Sequence, residues 1–512
     1  MKKLAILGAL VLVVAMCSAA YAEVQNVKVG GDIRTAYRLR NNYDLDRANA
    51  SGTPSLNAIQ GDTDQWIETR ARIYVQADLT DNVRAMIRII ADFVWGIDVA
   101  SNNVDGVSNV GGSSALDRDG EDYNVEIDLA WVEISEFWFS YLTMIIGRQE
   151  LHYGNEFIIG DNVGNASDTD SDELDRKLAF NATRYILDFD PLTIDIVFAM
   201  IEEERMSIGL SGEDEWIIGT NVNYIFSNDW IGEAYVWYQN RGNVGFATGA
   251  NSEFNELTSR LGDGGSAGNN NNQESSFDRQ IVTLGVRAEG SIYPIDENLY
   301  FNGEIAYQVG DWNDDAVAQI GPVGGIVYRN DDQSALAAQV SLDYTWDNPY
   351  QPNFGLQYTF YEGHEFNDVT GKHNGWDPMY EHQTQGIIYD NIAGGPNMGA
   401  ASNGHIINAF FSFMPTEVLT IAVDYYHFWL DEPLSNDVAR LYQTDTGLYY
   451  AYTDDEDMGD EIDVVLIYDY TEDVQFQWRG AAYFPGSAVA SGLGDSNNDE
   501  AYYFEYSVNV AF

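Results

Sequence analysis

The last residues of the chain, Tyr502-Tyr503-Phe504-Glu505-Tyr506-Ser507-Val508-Asn509-Val510-Ala511-Phe512, alternate between two kinds of side chain. The even-numbered positions are all aromatic or β-branched, and the odd-numbered positions include a carboxylate, a hydroxyl and an amide. Strict period-2 alternation over about ten residues is typical of a strand that has one face against an apolar phase and the other in water. A strand of a soluble β-sandwich can show the same alternation, so a second feature must separate the two.

The aromatic residue that ends the chain is that second feature. Phe512 resembles the C-terminal signature by which Gram-negative outer-membrane barrels are recognised for assembly. The resemblance implies that the chain resides in the cell outer membrane and that Phe512 contacts the barrel assembly machinery.

The N-terminal residues have the composition of a secretory signal peptide. Lys2 and Lys3 precede an apolar run over residues 4–16, and Ala20-Tyr21-Ala22 supplies small residues for cleavage. The apolar run is shorter than the ~20 residues of a membrane-spanning helix. We therefore predict a signal peptide over 1–22 and a barrel over 23–512. Cys17 is the only cysteine and follows the bulky Met16, so neither a lipoprotein anchor nor a disulfide is expected.

Composition excludes several classes of protein. The net charge of -56 excludes nucleic acid as a partner. The 33 Tyr, 23 Phe and 12 Trp residues exclude a disordered chain, because disorder goes with few aromatics. No later stretch reaches the ~20 apolar residues of a transmembrane helix. Since a membrane can otherwise be crossed only by a closed barrel, the predicted fold class is an all-β transmembrane antiparallel barrel.

Turn residues divide the chain into hairpins with alternately short and long connections. Short connections are predicted near 80–82, 135–136, 190–191, 227–229, 294–298, 347–349, 415–416 and 471–473. Long connections are predicted near 41–64, 100–120, 152–175, 203–213, 242–276, 311–332, 362–404, 431–460 and 485–500. The alternation predicts about 18 strands, with short periplasmic turns and long extracellular loops. The strand register stays open around 142–148 and 178–186.

About 18 strands enclose an aqueous lumen, and period-2 parity assigns charged side chains to it. A basic side chain facing the bilayer midplane costs about 2–4 kcal/mol, which favours the lumen. The predicted channel-lining residues are Arg34, Arg38, Glu68, Arg70, Arg72, Arg84, Arg88, Asp92, Glu126 and Asp128. Parity places Glu126 and Asp128 opposite an apolar face of Val125, Ile127, Leu129 and Trp131. Two interpretations stay open: an arginine-lined constriction that selects anionic solutes, or charges that only pair across strands.

Two motifs resemble the alginate export family of outer-membrane barrels. The first is Ile146-Gly147-Arg148-Gln149-Glu150-Leu151-His152-Tyr153-Gly154 with Ile159-Gly160-Asp161, and the second is Trp376-Asp377-Pro378-Met379-Tyr380 in a long loop. The resemblance implies an 18-stranded barrel with an arginine-rich conduit for passive passage of an anionic polysaccharide. It also implies that Arg148 lines this conduit. The expected partners are outer-membrane lipid and lipopolysaccharide, and the expected solutes are anionic saccharides or small hydrophilic molecules.

Other functions find less support in the sequence. None of the six histidines pairs with a serine motif, so no enzyme is expected. Asp168, Asp170 and Asp172 resemble the opening of a calcium loop, but Glu173 replaces its glycine and Ala179 its closing acid. No metal site or cofactor is therefore predicted. A structural or adhesive barrel stays open as an alternative to a channel, because the loop over 362–404 could fold inward and block the lumen.

Overall fold

Eighteen antiparallel strands close into one barrel in the computed structural model of the protein. The structure describes residues 26–43, 45, 63–95, 124–160, 179–202, 215–227, 229–241, 278–293, 295–320, 325–364, 372–393, 400–433, 442–443, 449–452, 455–491 and 500–512. The predicted signal peptide over 1–22 lies outside these residues. In the described part of the chain, no helix is long and apolar enough to cross a membrane.

The elements are numbered β1 to β22 in chain order, with one short helix. The barrel strands are β1 (Asn26–Asn41), β2 (Thr63–Thr80), β3 (Val83–Val94), β4 (Asn124–Ile134), β5 (Leu142–Gln149), β6 (Phe180–Asp188), β7 (Leu192–Glu202), β8 (Glu215–Ser227), β9 (Trp230–Arg241), β10 (Asp278–Ser291), β11 (Leu299–Ile320), β12 (Gly325–Thr345), β13 (Asn353–Tyr361), β15 (Gly404–Thr416), β16 (Leu419–Leu430), β19 (Asp457–Asp469), β20 (Val474–Pro485) and β22 (Ala501–Ala511).

Four short strands and the helix lie in the long connections. They are β14 (Lys372–His373), α1 (Tyr389–Ala393), β17 (Tyr442–Gln443), β18 (Tyr449–Tyr452) and β21 (Val489–Ser491). The last three strands form a separate small sheet, whereas β14 pairs in parallel with β12.

The barrel closes between its first and last strands. β1 pairs with β22 from Asp32 opposite Ala511 to Asn41 opposite Tyr502. The amide of Gly31 and the carbonyl of Phe512 lie 2.9 Å apart, and the reverse bond measures 3.0 Å. Closure satisfies the backbone groups of both terminal strands, which would otherwise be open sheet edges.

The predicted short turns connect barrel strands, and the strand number is as predicted. One predicted loop is wrong: most of 311–332 is strand, because β11 and β12 continue as a paired hairpin to Ile320 and from Gly325. Asp311, Asn313, Asp314 and Asp315 are residue types that favour turns, yet their backbone continues the strand pairing, with register shifts between Asp311 and Ala316.

A bulge in β4 changes which of its side chains face inward. Val125 and Ile127 are exposed on the outward face, as predicted. The pairing with β3 then shifts by one residue between Arg88 and Ile89. After the shift, Leu129 points inward and is only 4% exposed, and Trp131 lies opposite the inward-facing Met86. The prediction that Leu129 and Trp131 face lipid is therefore wrong, because one extra residue inverts the parity of the rest of a strand.

The register of β5 and β6, which the sequence left open, is regular pairing around an unusual glycine. Gly147 has a φ of 126°, and a Cβ there would lie 2.2 Å from the carbonyl oxygen of Ala130. Glycine is therefore required where β5 passes β4.

Candidate functional site

Two connections fold into the barrel and pack on its inner wall. We name residues 150–160 the first inward loop, and residues 372–393 with 400–403 the second inward loop. Their buried apolar residues are Leu151, Phe157, Ile158, Ile159, Trp376, Met379, Tyr380, Ile387, Ile388, Tyr389, Ala393, Ala400 and Ala401. All of these side chains except that of Ala401 form one apolar cluster with inward-facing residues of the barrel. The lumen is therefore partly filled by the protein's own loops.

The two sequence motifs meet inside the barrel. Ile159 and Tyr380 form a parallel β-bridge. The amide of Gly160 donates to the carbonyl of Tyr380 at 2.7 Å, and the amide of Tyr380 donates to the carbonyl of Ile158 at 3.1 Å. The hydroxyl of Tyr380 then donates to Glu215 of the wall at 2.6 Å. Together these contacts join both loops to each other and to β8.

A buried ion pair fixes the second inward loop to the wall. Arg279 Nη1 lies 3.0 Å from Asp377 Oδ2, and both side chains are almost wholly buried. The other carboxylate oxygen of Asp377 accepts the amide of Met379 at 2.8 Å. The guanidinium of Arg279 also stacks over Trp312, 3.5 Å from the ring centre. Such a pair holds its geometry because separating it would leave a buried charge without its counter-ion.

Acidic side chains of β19 hold the segment that leads into α1. Glu461 accepts the amides of Ile388 and Tyr389 at 2.7 and 2.8 Å. Asp463 accepts the amide of Ile387 at 3.2 Å. These carboxylates satisfy backbone donors that burial would otherwise leave without partners.

Polar contacts also fix the first inward loop. The Asn155 side chain contacts Asn302, Gln339 and Arg287 of the wall. Glu156 lies between His152 and His382, at 2.8 and 2.7 Å. Hydrogen bonds from these two imidazoles hold the pKa of Glu156 well below its usual range. Because His382 belongs to the second inward loop, Glu156 links the two loops.

The predicted site arginines of β1, β2 and β3 lie on one face of these strands. The register of β1, β2 and β3 places them at successive heights on one inner face, which we name the arginine wall. From the short turns toward the long loops, their order is Arg84, Arg88, Arg72, Arg34 beside Arg70, Arg38 and Arg40. At about 3.3 Å per residue, the part from Asp32 to Arg40 spans roughly 26 Å.

The middle of the arginine wall is a cluster of ion pairs between arginines and carboxylates. Arg70 and Arg72 both reach Asp32, at 3.4 and 2.9 Å. Arg34 and Arg38 both reach Glu505, at 2.6 and 3.0 Å, and Arg38 also reaches Glu68 at 2.5 Å. Four guanidinium groups therefore share these three carboxylates. Arg38 is only 2% exposed and has a structural position, whereas Arg34, Arg70 and Arg72 keep more contact with the lumen.

The arginines nearer the short turns pair differently. Arg88 contacts Asp128 and, at 2.5 Å, Glu150 at the start of the first inward loop. Arg84 lies 3.2 Å from Asp78 and 3.6 Å from Glu133, and it is 45% exposed. The arginine wall is thus joined to the first inward loop through Glu150.

The predicted site residues Asp92, Glu126 and Arg148 lie outside these ion-pair clusters. Asp92 lies opposite Arg70 on the lumenal side, and Glu126 is exposed opposite Ile90. Arg148 lies opposite Ala130 and Asn181, and its Nε donates to the carbonyl of Asp128 at 3.0 Å. This register groups Arg148 with the outward-facing Ile146 of the same strand. The proposal below is therefore built without Arg148.

Sequence reasoning missed the partners that barrel closure supplies. Glu505 shows lumenal parity in the last strand, yet nothing local indicates that it lies opposite Arg38 of the first strand. Arg479 of β20 lies opposite the same carboxylate, so it extends the arginine wall beyond β1. Among the described residues, no group of three or more histidine, cysteine or acidic side chains could hold a metal ion. The acidic sequence from Asp168 to Asp172 lies outside the described residues.

A comparison with protein-family models gives a match to part of the chain. The alginate export family model matches residues 252–503. This match confirms the resemblance drawn from the sequence and includes the motif Trp376 to Tyr380, whereas the motif Ile146 to Gly154 precedes it. No curated protein matches the chain.

Solved structures of similar fold are barrels of other bacteria. OccAB1 of Acinetobacter baumannii is 11% identical, with 97% of this chain and 98% of that chain covered and a TM-score of 0.53. OccK11 (OpdR) of Pseudomonas aeruginosa is 9% identical, with 96% of both chains covered and a TM-score of 0.49. At these identities the similarity concerns the fold alone. It rests on OccAB1, whose TM-score is above 0.5. The family and fold are those of outer-membrane transport barrels.

Proposed function

We propose that this outer-membrane barrel is a passive channel for hydrophilic anionic solutes, above all acidic sugars or oligosaccharides. Solutes pass between the arginine wall and the two inward loops. The clustering of Arg34, Arg38, Arg70 and Arg72 on one inner face, around Asp32, Glu68 and Glu505, is the observation that supports this proposal. The family match supports the same class of solute.

Two opposed arginines in the arginine wall lower the stability of the sheet, and the proposed function explains why they are there. Arg34 lies directly opposite Arg70 in the β1–β2 register. Like charges at directly opposed positions destabilise a sheet, and the neighbouring carboxylates of Asp32, Glu505 and Asp92 offset part of this cost. A fold selected for stability alone would place a carboxylate at one of the two positions. Because guanidinium stays charged at every working pH and binds carboxylates in two-pronged fashion, the pair suits a passing acidic sugar.

The second candidate is a structural or adhesive barrel with a loop-blocked lumen. Burial of the two inward loops against the wall favours it. The two candidates differ in conductance, because a blocked barrel carries no ions.

Planar-bilayer recordings in a salt gradient test the proposal. The wild-type channel should conduct, and replacing Arg70, Arg72, Arg84 and Arg88 with Ala should shift the reversal potential toward cations. Block by anionic oligosaccharides should weaken in the same variant, while the flux of a neutral sugar in liposome swelling stays unchanged and shows that the pore is intact. Absence of wild-type conductance would favour the blocked barrel. Unchanged ion preference in the variant would contradict the role of the arginine wall.

The remaining expectations concern assembly and surroundings. We propose that Phe512 is read by the barrel assembly machinery, that residues 1–22 are removed during secretion, and that lipopolysaccharide surrounds the barrel. The outward exposure of Phe512, at the seam between β22 and β1, supports the first of these.

A further inference from the structure

A carboxylate between two histidines joins the two inward loops. Glu156 Oε1 lies 2.8 Å from Nδ1 of His152 in the same loop, and Glu156 Oε2 lies 2.7 Å from Nδ1 of His382 in the second inward loop. The amide of His382 also donates to the carbonyl of Glu156 at 2.9 Å. We name the side chains of these three residues the histidine bridge. It is a direct polar contact between loops that are more than two hundred residues apart in the chain.

Glu156 has a backbone conformation that glutamate rarely adopts. Its φ is 59°, in the left-handed region where glycine and asparagine are the usual residues. Glycine at this position would remove the steric cost, but it would also remove the carboxylate. The presence of glutamate is therefore explained by its side chain, which contacts both histidines, rather than by the local turn.

The histidine bridge is accessible to protons from water. The side chains of His152, Glu156 and His382 are 40%, 27% and 30% exposed, whereas His364 and His373 are almost wholly buried. An imidazole has an ordinary pKa of about 6.5, so small changes in pH around neutrality alter its charge.

Protonation of the two histidines strengthens the bridge. An imidazolium donates a charge-assisted hydrogen bond to a carboxylate, and such a bond is about twice as strong as a neutral one. The two imidazoles hold the pKa of Glu156 well below its usual range, so the carboxylate stays ionised from about pH 4 upward. The joined loops therefore bind protons more tightly than separated loops do. By linkage, the bridge contributes most below about pH 6.5, and its contribution falls as the pH rises above this value.

Other charged groups surround the bridge. Glu381 precedes His382, and burial raises the pKa of Glu381 to about 7. Glu304 of β11 accepts the amide of Asn155 at 3.3 Å, and Arg287 of β10 donates to the Asn155 side chain at 2.7 Å. Arg287 stays charged at every working pH, so the carboxylates of Glu381 and Glu304 are the groups that need a control. Three further charged wall residues contact the first inward loop at Glu150 and Tyr153: Arg88, Arg184 and Asp195.

We propose that the histidine bridge is a pH-sensitive latch, which holds the first inward loop against the second in mild acid and releases it above neutral pH. The inference rests on the proposed channel function for its effect on conductance, whereas the latch itself is a contact between two loops. The second inward loop keeps its contacts with Arg279, Glu461 and Asp463 when the latch opens. The first inward loop is therefore the part that moves, and its release widens the lumen.

Hydrogen exchange in the full-length barrel tests the latch. After correction for the intrinsic effect of pH, the opening constant of peptides covering 150–160 should rise about tenfold from pH 6 to pH 8, the order of difference between a charge-assisted and a neutral hydrogen bond. Glu156→Gln and His382→Gln should each remove most of this rise. The matched control is His427→Gln, because His427 is 39% exposed and lies 3.0 Å from Asp460, but on the outer face of the barrel opposite Ile407.

Two further variants separate the latch from the carboxylates around it. Glu381→Gln and Glu304→Gln should both keep the pH dependence of the first inward loop, since neither changes the bridge. Its loss in either variant would assign the dependence to that carboxylate and overturn the latch. Equal opening constants of the wild type at pH 6 and pH 8, or an undiminished rise in Glu156→Gln, would overturn it as well.

Conductance shows whether the latch acts on the channel. The single-channel conductance of the wild type should be lower at pH 6 than at pH 8, and Glu156→Gln should conduct equally at both. A wild-type conductance that is the same at both pH values would refute the widening of the lumen. If the wild type conducts no ions at all, the channel proposal fails, while hydrogen exchange still decides whether the latch exists.

Discussion

Asp377→Ala should release the second inward loop while the barrel stays folded. The change removes the carboxylate that pairs with Arg279 and the acceptor of the Met379 amide. Neither group contributes to pairing between barrel strands. The barrel should therefore keep its resistance to unfolding in detergent, and the loss should be confined to the loop.

The size of the free-energy loss in Asp377→Ala follows from the burial of the ion pair. The two side chains are 3% and 5% exposed, so the remaining guanidinium cannot be fully hydrated. Removing one partner of a buried pair costs about 3–5 kcal/mol. Because Arg279 keeps its stacking on Trp312, we expect a cost at the lower end of this range. An opening free energy reduced by ~3 kcal/mol raises local exchange roughly a hundredfold.

Hydrogen exchange of peptides covering 374–386 measures this opening, with peptides of β8 and β9 as internal controls. Asp377→Asn is the matched variant: it keeps an acceptor for Met379 and should lose less protection. The double change Arg279→Gln with Asp377→Asn removes both charges and should recover part of the loss. Single-channel conductance should rise with Asp377→Ala as the loop leaves the lumen. Unchanged exchange and conductance would refute the argument that this ion pair holds the loop in place.

Three further predictions follow from individual contacts. Gly160→Val should separate the inward loops and increase conductance, because a Cβ there would lie 2.5 Å from the Cβ of His382; conductance equal to that of wild type would contradict this. Burial raises the pKa of Glu381 to about 7, so its contribution to loop stability is present below the unfolded pKa of about 4.3 and is lost as pH rises through 7. Exchange of the second inward loop should accelerate over that range, and Glu381→Gln should remove the dependence; the same slope in the variant would assign it to another group. Phe512→Ser should leave the chain in the periplasm or degraded, as fractionation and heat-modified gel mobility will show, and normal amounts of heat-modifiable barrel in the outer membrane would disprove the assembly role of this residue.

The sequence by itself determined the fold class and most strand positions. Alternation in segments such as Val83 to Val94 is a local property, because each side chain of a strand is assigned to a face by its immediate neighbours. The cost of placing a charge against lipid assigns the arginines of β1 to β3 to the lumen in the same way. Both arguments use only residues within one strand, and the structure confirms the fold class and the strand number.

Where local periodicity is interrupted or not required, the tertiary structure decided which side chains face inward and how far a strand extends. The bulge in β4 turned Leu129 and Trp131 inward, and the hairpin of β11 and β12 continued through Asp311 to Asp315, a run of residue types that favour turns. Neither feature leaves a periodic signal, since a bulge adds one residue and strand pairing joins backbone groups whatever the side chains.

The partners of the candidate site were also decided by tertiary structure. Glu505 reaches Arg38 across 467 residues only because the first and last strands pair, and Tyr380 reaches Ile159 only because both loops turn inward. Within an uninterrupted strand, the sequence determines which side chains share a face, because that depends on neighbours in the chain. Which of them meet there depends on ring closure and loop packing, and these contacts join residues that are distant in sequence.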